Sequence, residues 1–375
     1  MTKHPIIGVV GLGTMGLGIA QTYAAAGFTM RATDAHQPTR DTSLTRLGDA
    51  LAKRVAAAKL TPAARDAILA NITVTPDLAG LAPADLVVEA IVERLAAKQS
   101  LFEPLEQVVA PLAVLATNTS SLTISDVAKG LIHPNRVLGL HFFNPAPVMR
   151  LVELVPHAAT SQAALTLARD VTEAAGKTVI QAPDLPGFIV NRCARPYYGE
   201  ALAMLEGGRS ADDIDAAMQA AGYPLGPLGL IDLIGADVNL AATEGLYAAM
   251  GNHPRYHVFD ALRAAVAAGR LGRKSGTGFI YPGPAASPPA DAAGIALRIE
   301  ATLINEAGFL LAETALAPQD IDTALMLGLN FPRGPFAALK SHGKPRILTV
   351  LAALAADAPP ALKPRYHPAP ILRLP

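Results

Sequence analysis

The stretch Leu138 to Val155, LGLHFFNPAPVMRLVELV, is almost wholly apolar, aromatic or proline, yet it carries His141, Asn144, Arg150 and Glu153. A histidine has an unperturbed pKa of ~6.5, so it can accept a proton and return it near neutral pH. A carboxylate bonded to its second ring nitrogen would fix the tautomer and stabilise the imidazolium. Sequence order leaves two readings open: polar residues scattered in a core segment, or a base and its orienting partner.

A second chemical signature lies upstream. Gly11, Gly13 and Gly16 form G-x-G-x-x-G directly after the apolar run IIGVV and ahead of a helical pattern in Met15, Ile19 and Tyr23. The first glycine permits a tight turn, the second lets the backbone approach a pyrophosphate, and the third allows close helix–strand packing. Backbone N–H groups across Leu12, Thr14 and Met15, with the helix dipole, favour phosphate charge. Asp34 follows about 20 residues on, where a carboxylate hydrogen-bonds the ribose 2′-OH of NAD and repels the 2′-phosphate of NADP. FAD shares the fingerprint, and a glycine turn without cofactor is the plain structural alternative. Two further polar groups end strand-like runs, where open α/β sheets bind ligands. They are Glu93 and Lys98 in VVEAIVERLAAK, and Asn118, Ser120 and Ser121 in ATNTSSL. Alone, Glu93 and Lys98 suit solvated helix-start charges equally well, and Ser120 suits a helix N-cap.

The elements around these residues alternate. IIGVV, FTMRATD, ADLVVEAI, AVLATNTSS, RVLGLHFF and RLVELV read as strands, and residues 38–71 and 98–109 as helices. Such alternation predicts an α/β, Rossmann-type doubly wound domain with a mostly parallel sheet. The pattern changes at QAPDLPGFIVNRC, after which the chain reads as all-α. The expected organisation is a Rossmann-type domain over 1–184, a helical domain over 185–282, a Pro/Gly/Ala-rich linker over 283–295 and a second helical domain over 296–375. The helical unit reads as duplicated. EGGRSADDIDAAM (206–218) matches ETALAPQDIDTAL (313–325), and YPLGP (223–227) matches FPRGP (331–335).

Composition narrows the class. Of 375 residues, 51% are apolar and 17% charged, with 31 Lys+Arg against 31 Asp+Glu, a globular balance without a basic patch for nucleic acid. No long charge-free apolar run predicts a membrane span, and MTKHPIIGVVGLG lacks a signal-like h-region, so a cytoplasmic location is expected. A single cysteine, Cys193, excludes an intramolecular disulfide, and no Cys/His cluster has metal-ligand spacing.

Taken in order, the glycine fingerprint, VVEAIVE, NTSSL, GLHFFNPAPVMRLVEL, GFIVNR and GRKSGTGF resemble the L-3-hydroxyacyl-CoA dehydrogenase family, 3-hydroxybutyryl-CoA dehydrogenases included, over residues 5 to 282. The resemblance implies NAD-dependent, reversible oxidation of (S)-3-hydroxyacyl-CoA in fatty-acid or related acyl-CoA metabolism. It puts the catalytic histidine at His141 and its carboxylate partner at Glu153, with Ser120 and Asn191 on the substrate oxygen. Asn144, Glu93, Lys98 and Lys274 take cofactor-side positions. Oxidising a secondary alcohol by hydride loss needs the hydroxyl proton removed in the same step, which suits a histidine. Hydroxyl and amide donors on the oxygen stabilise its developing charge.

The helix after Asp34 departs from the family pattern. It has Ala50, Ala57 and Ala58 where polar or basic residues are frequent, and leaves Lys53, Arg54 and Lys59 either as contacts to the CoA nucleotide or as solvated charges. The doubled helical unit resembles members with two C-terminal repeats. Two copies in one chain could satisfy internally the apolar face that single-repeat enzymes bury by dimerising, giving a pseudo-dimeric core, a chain able to stand as a monomer, and one active site per chain. Two other function classes compete: a dehydrogenase of a free hydroxy acid or sugar acid (gulonate or carnitine type), against which HFFNP argues, and a non-catalytic NAD-binding paralogue, against which the joint presence of His141, Glu153, Ser120 and Asn191 argues.

Overall fold

The computed structural model describes residues 4–283 and 286–373. The chain divides into two compact units, Met1–Phe188 and Ile189–Pro375.

The first unit is built in the order β1 (Ile6–Val10), α1 (Thr14–Ala25), β2 (Thr29–Thr33), α2 (Gln37–Ala56), α3 (Pro62–Ala70), β3 (Ile72–Val74), β4 (Leu86–Glu89), α4 (Leu95–Val108), β5 (Val114–Thr117), α5 (Ile124–Val127), β6 (Val137–Phe142), β7 (Leu151–Pro156), α6 (Gln162–Ala174) and β8 (Thr178–Gln181). The strands form one sheet ordered β3-β2-β1-β4-β5-β6-β7-β8. Helical crossovers make its pairs parallel, and the central strands carry the continuous apolar runs of a sheet covered on both faces. β6 and β7 are joined by a turn with no crossover helix, so they pair antiparallel. From β1 the chain builds outward to β3, then returns beside β1 with β4. The order therefore reverses between β1 and β4, opening a crevice at the strands' C-terminal ends. The core is aliphatic, with Ile7, Val9, Leu86, Val88, Leu138 and Leu140 packed on Ile19, Tyr23 and Leu51 of the helices.

Two expectations change in detail. The stretch 38–71, expected to be helical, forms two helices: Ala58 adopts φ 54°, and Thr61 restarts the chain by accepting from the Ala64 N–H with Pro62 in the first turn. Strands β3 and β8 were not expected, since three or four residues are too few to display alternation.

The second unit is helical, and local devices recur along it. Asp215, in the helix Ala211–Ala220, accepts from the N–H groups of Leu228 and Gly229 at 2.9 and 2.6 Å, capping the helix Pro227–Ile234. Asp322, in the helix Pro318–Leu329, accepts from Phe336 and Ala337 at 2.8 and 2.9 Å, capping the helix Pro335–His342. Each capped helix then turns through a positive-φ glycine, Gly235 or Gly343, into a further 14-residue helix. The motif Pro-Arg-Tyr-His also occurs twice, at 254–257 and 364–367.

Buried carboxylates connect these segments reciprocally. Glu306, in the helix Ala292–Glu313, accepts from Arg192 and Arg255 at 2.8 Å each and from the Tyr256 hydroxyl. Glu200, in the helix Arg195–Glu206, accepts from Arg298 at 2.7 Å, Arg365 at 3.3 Å and the Tyr366 hydroxyl. Removing one partner of a buried pair strands the other charge. Glu306→Ala is therefore expected to destabilise this unit by about 3–5 kcal/mol, read as a lower unfolding midpoint in denaturant by circular dichroism.

Candidate active site

The glycine loop between β1 and α1 has the geometry its residues require. Gly11 lies at φ 94°, and a Cβ there would stand 2.6 Å from the Ala90 carbonyl oxygen. A Cβ on Gly16 would stand 1.7 Å from the Gly11 oxygen, so helix and loop can meet only at a glycine. Gly13, by contrast, faces open space, and no side chain caps the N-terminus of α1, where Thr14 and Met15 begin the helix. An open, uncapped helix start over a bare backbone fits a dinucleotide pyrophosphate. Asp34, at the end of β2, accepts from the Leu12 N–H at 2.7 Å and from the His36 N–H at 2.8 Å. Its half-exposed carboxylate thus ties the end of β2 to the glycine loop.

Beyond β4 and β5 a buried ionic chain holds the next loop. Lys98, only 1% exposed, donates to Glu89 at 2.7 Å and lies 3.2 Å from the Glu93 carboxylate. Glu89 also accepts from the Thr117 hydroxyl and the Ile91 N–H. One oxygen of Glu93 gathers the 119–121 loop, accepting from the Thr119 hydroxyl at 2.6 Å, the Ser120 N–H at 2.8 Å and the Ser121 N–H at 3.1 Å. Burial pushes the Glu93 carboxyl up, but Lys98 and these donors more than offset it and hold it below the usual carboxylate range. Both residues were expected to be cofactor-side ligands. Here Lys98 is committed to two carboxylates, and Glu93 organises the segment that presents Ser120. Nor is Ser120 a helix N-cap, since α5 begins after Thr123. Asn118 accepts from the Phe142 N–H at 2.8 Å, tying the same loop to the end of β6.

His141 and Glu153 face each other across the antiparallel pair β6–β7, directly opposite in register. Opposed residues on such a pair have Cβ atoms about 4.5–5.5 Å apart on one face, so these two types meet without any backbone distortion. His141 Nδ1 lies 2.6 Å from a Glu153 oxygen, with the carboxylate fully buried and the imidazole 6% exposed. With Nδ1 committed to the carboxylate, Nε2 is the ring nitrogen able to exchange a proton with a ligand. The rings of Phe143 and Phe188 flank the imidazole at 4.5 and 5.8 Å between centroids. The arrangement has the geometry with which a general base and a buried orienting carboxylate can work.

The remaining candidates are more dispersed. Asn144 is exposed in the turn after β6, joined to Pro145 by a cis peptide. Lys53 is exposed in the last turn of α2. Asn191 and Lys274 belong to the second unit. Asn191 is half-buried in the short helix Val190–Cys193, and Lys274 is ion-paired with Asp237. Sequence reasoning passed over Glu89 and Thr119, although both stand inside the quoted motifs, and missed Lys177 altogether. The available signal for Lys177 was a charged residue between an amphipathic helix and an apolar strand. Among the described residues no group of three or more His, Cys, Asp or Glu side chains could hold a metal ion, and no helix is long and apolar enough to cross a membrane.

Comparison with known proteins shows the family. The family model for the NAD-binding domain of 3-hydroxyacyl-CoA dehydrogenase matches residues 6–185, and the model for that family's C-terminal domain matches 187–281 and 295–374. A protein of Escherichia coli named 3-hydroxyadipyl-CoA dehydrogenase is 42% identical over 74% of this chain, and the match spans 59% of that protein's length. A probable 3-hydroxybutyryl-CoA dehydrogenase of Bacillus subtilis is 40% identical over 72% of this chain and 95% of its own. The crystal structure of an Escherichia coli 3-hydroxybutyryl-CoA dehydrogenase superposes with a TM-score of 0.91 at 32% identity, covering 99% of this chain and 98% of that one. With both domain models matched and the glycine loop shaped for a dinucleotide, the chain belongs to the NAD-dependent 3-hydroxyacyl-CoA dehydrogenase family.

Proposed function

We propose that the protein catalyses the reversible oxidation of (S)-3-hydroxyacyl-CoA to 3-oxoacyl-CoA, with His141 as general base and acid. The observation that carries the assignment of the base is the 2.6 Å contact between His141 Nδ1 and the buried Glu153 carboxylate. In the oxidative direction Nε2 of His141 takes the hydroxyl proton while Glu153 balances the imidazolium that forms. Ser120 and Asn191 donate to the substrate oxygen and stabilise its developing negative charge. Gly11 to Gly16 hold the pyrophosphate and Asp34 the adenosine ribose, while Asn144 and Lys274 serve the cofactor side. Bound NAD supplies the hydride acceptor. Lys53 is the candidate contact to the CoA nucleotide. The relatives named for hydroxybutyryl and hydroxyadipyl thioesters support acyl-CoA as the substrate class.

The test is substrate selectivity in the oxidative direction with NAD. (S)-3-hydroxybutyryl-CoA is expected to be oxidised, and its (R) isomer and free 3-hydroxybutyrate are not. Oxidation of the free acid with comparable kcat/KM would replace this reading with a hydroxy-acid dehydrogenase.

The two helical stretches are proposed to be copies of one unit, packed as an internal pseudo-dimer. Support comes from the matched helix caps of Asp215 and Asp322 and from the reciprocal exchange in which Arg255 and Tyr256 reach Glu306 while Arg365 and Tyr366 reach Glu200. Such an exchange is what an isologous interface produces when both halves share one chain. Light scattering is expected to return the mass of one chain, 38.8 kDa. A particle of twice that mass would contradict the monomer.

A further inference from the structure

Lys177 sits between α6 and β8, outside the glycine loop and the strand-end motifs, and is 8% exposed. Its ammonium donates at 2.6 Å to the Ala146 carbonyl and at 2.8 Å to the Met149 carbonyl. Both acceptors lie in the turn of residues 143–150 that joins the strand of His141 to the strand of Glu153. Burial pushes the ammonium down to about 8, which is the electrostatic cost of holding a cation here rather than in water. A lysine facing solvent would carry no such cost.

The turn it grips is tightly placed. Ala146 is buried, and a Cβ on Gly18 of α1 would come within 3.3 Å of both Ala146 and Pro147, so the turn lies directly on the helix that follows the glycine loop. The same turn carries Phe143, whose ring flanks the imidazole of His141, and Asn144. At its other end, the Thr178 N–H donates to the Arg150 carbonyl at 2.8 Å, starting β8 immediately after the lysine. Two carbonyls that could each turn toward water are thus fixed on one side by Lys177, while α1 closes the other side.

We propose that Lys177 is a positioning residue. Its ammonium locks the 143–150 turn onto α1 and so fixes Asn144 toward the nicotinamide and Phe143 against His141. This rests on the reading above that Asn144 serves the cofactor. Lys177 touches no reacting atom, and its effect passes through the turn. Charge-assisted hydrogen bonds to carbonyls are the stronger kind, so losing two of them in a turn that bears a ligand is expected to appear first in cofactor affinity.

The experiment compares Lys177→Met, which keeps the apolar stem and removes both donors, with Lys177→Arg, which keeps a bidentate donor. NADH affinity is measured by fluorescence titration, alongside KM for NADH, KM for acetoacetyl-CoA and the melting temperature. Lys177→Met is expected to weaken NADH binding about tenfold and raise KM for NADH in step, with KM for acetoacetyl-CoA unchanged and Lys177→Arg restoring most of the loss. A merely structural lysine would lower kcat with the folded fraction and leave both KM values and the NADH dissociation constant unchanged, and that result would overturn the proposal. Should Lys177→Met not fold, Lys177→Gln, with a neutral NH₂ on a shorter stem, is read the same way against Lys177→Arg. Because the titration needs no turnover, a wild-type protein inert toward acetoacetyl-CoA would reject the proposed substrate while leaving this test intact.

Discussion

Replacing His141 with alanine is expected to lower kcat for acetoacetyl-CoA reduction by roughly 10²–10⁴-fold, the contribution of a positioned acid–base group. The residue stands at the end of β6, with Nδ1 already bonded to Glu153 and Phe143 and Phe188 against the ring. Truncation to alanine removes the proton carrier without disturbing the glycine loop, which lies at the end of β1. NADH affinity should therefore hold while turnover falls. The measurement is steady-state kinetics beside a fluorescence titration of NADH. Turnover at the wild-type rate in this variant would remove His141 from the mechanism.

The second large effect is expected at Glu153. Glu153→Gln keeps the shape and the sheet register but replaces an acceptor-only carboxylate with a neutral amide. The amide can offer its NH₂ group to Nδ1, which favours the tautomer with the proton on Nε2, the wrong form for accepting one from an alcohol. It also withdraws the buried negative charge that balances the imidazolium. In a comparable His–carboxylate pair the acid-to-amide change costs about 10⁴-fold, and a loss approaching that size is expected here. The pair acts as a unit, so the double variant with His141→Ala should lose little beyond the histidine variant alone. Additive losses would show that Glu153 acts apart from His141.

How far the site was legible in the sequence depended on how locally each constraint is written. The glycine loop is wholly local: a turn at φ 94° and a helix start too close for a Cβ can be met only by Gly11 and Gly16, so the spacing itself carries the geometry. The family resemblance implied the pairing of His141 with Glu153, and the proline-punctuated turn put them on neighbouring strands, but the register that sets the two residues directly opposite was not legible. The antiparallel pairing follows from the short turn between β6 and β7, which leaves no room for a crossover. Glu93 and Lys98 were harder. Their positions at a strand end were legible, but not that Glu89 draws Lys98 inward and that Glu93 turns to the backbone of Ser120 and Ser121. Partners 26 to 28 residues away along the chain leave no periodic trace. Lys177 is the extreme case, since its partners are carbonyl oxygens, groups that every residue possesses and no sequence pattern marks.

The proposed duplication of the helical unit draws on sequence features of a related kind. An aspartate that caps the next helix, a proline in that helix's first turn and a glycine at its end are backbone requirements, so they recur in the same order even where the apolar residues between them differ. The carboxylates Glu200 and Glu306, which join the two stretches, were not singled out, because a buried ion pair is invisible until both helices are packed.

The most direct test of the central claim is the loss of NADH absorbance when the wild-type protein meets acetoacetyl-CoA. NADH oxidation that saturates in both ligands, and falls by orders of magnitude in His141→Ala at unchanged NADH affinity, is the predicted result. A wild-type protein that binds NADH normally and leaves acetoacetyl-CoA and longer 3-oxoacyl thioesters unreduced would contradict it.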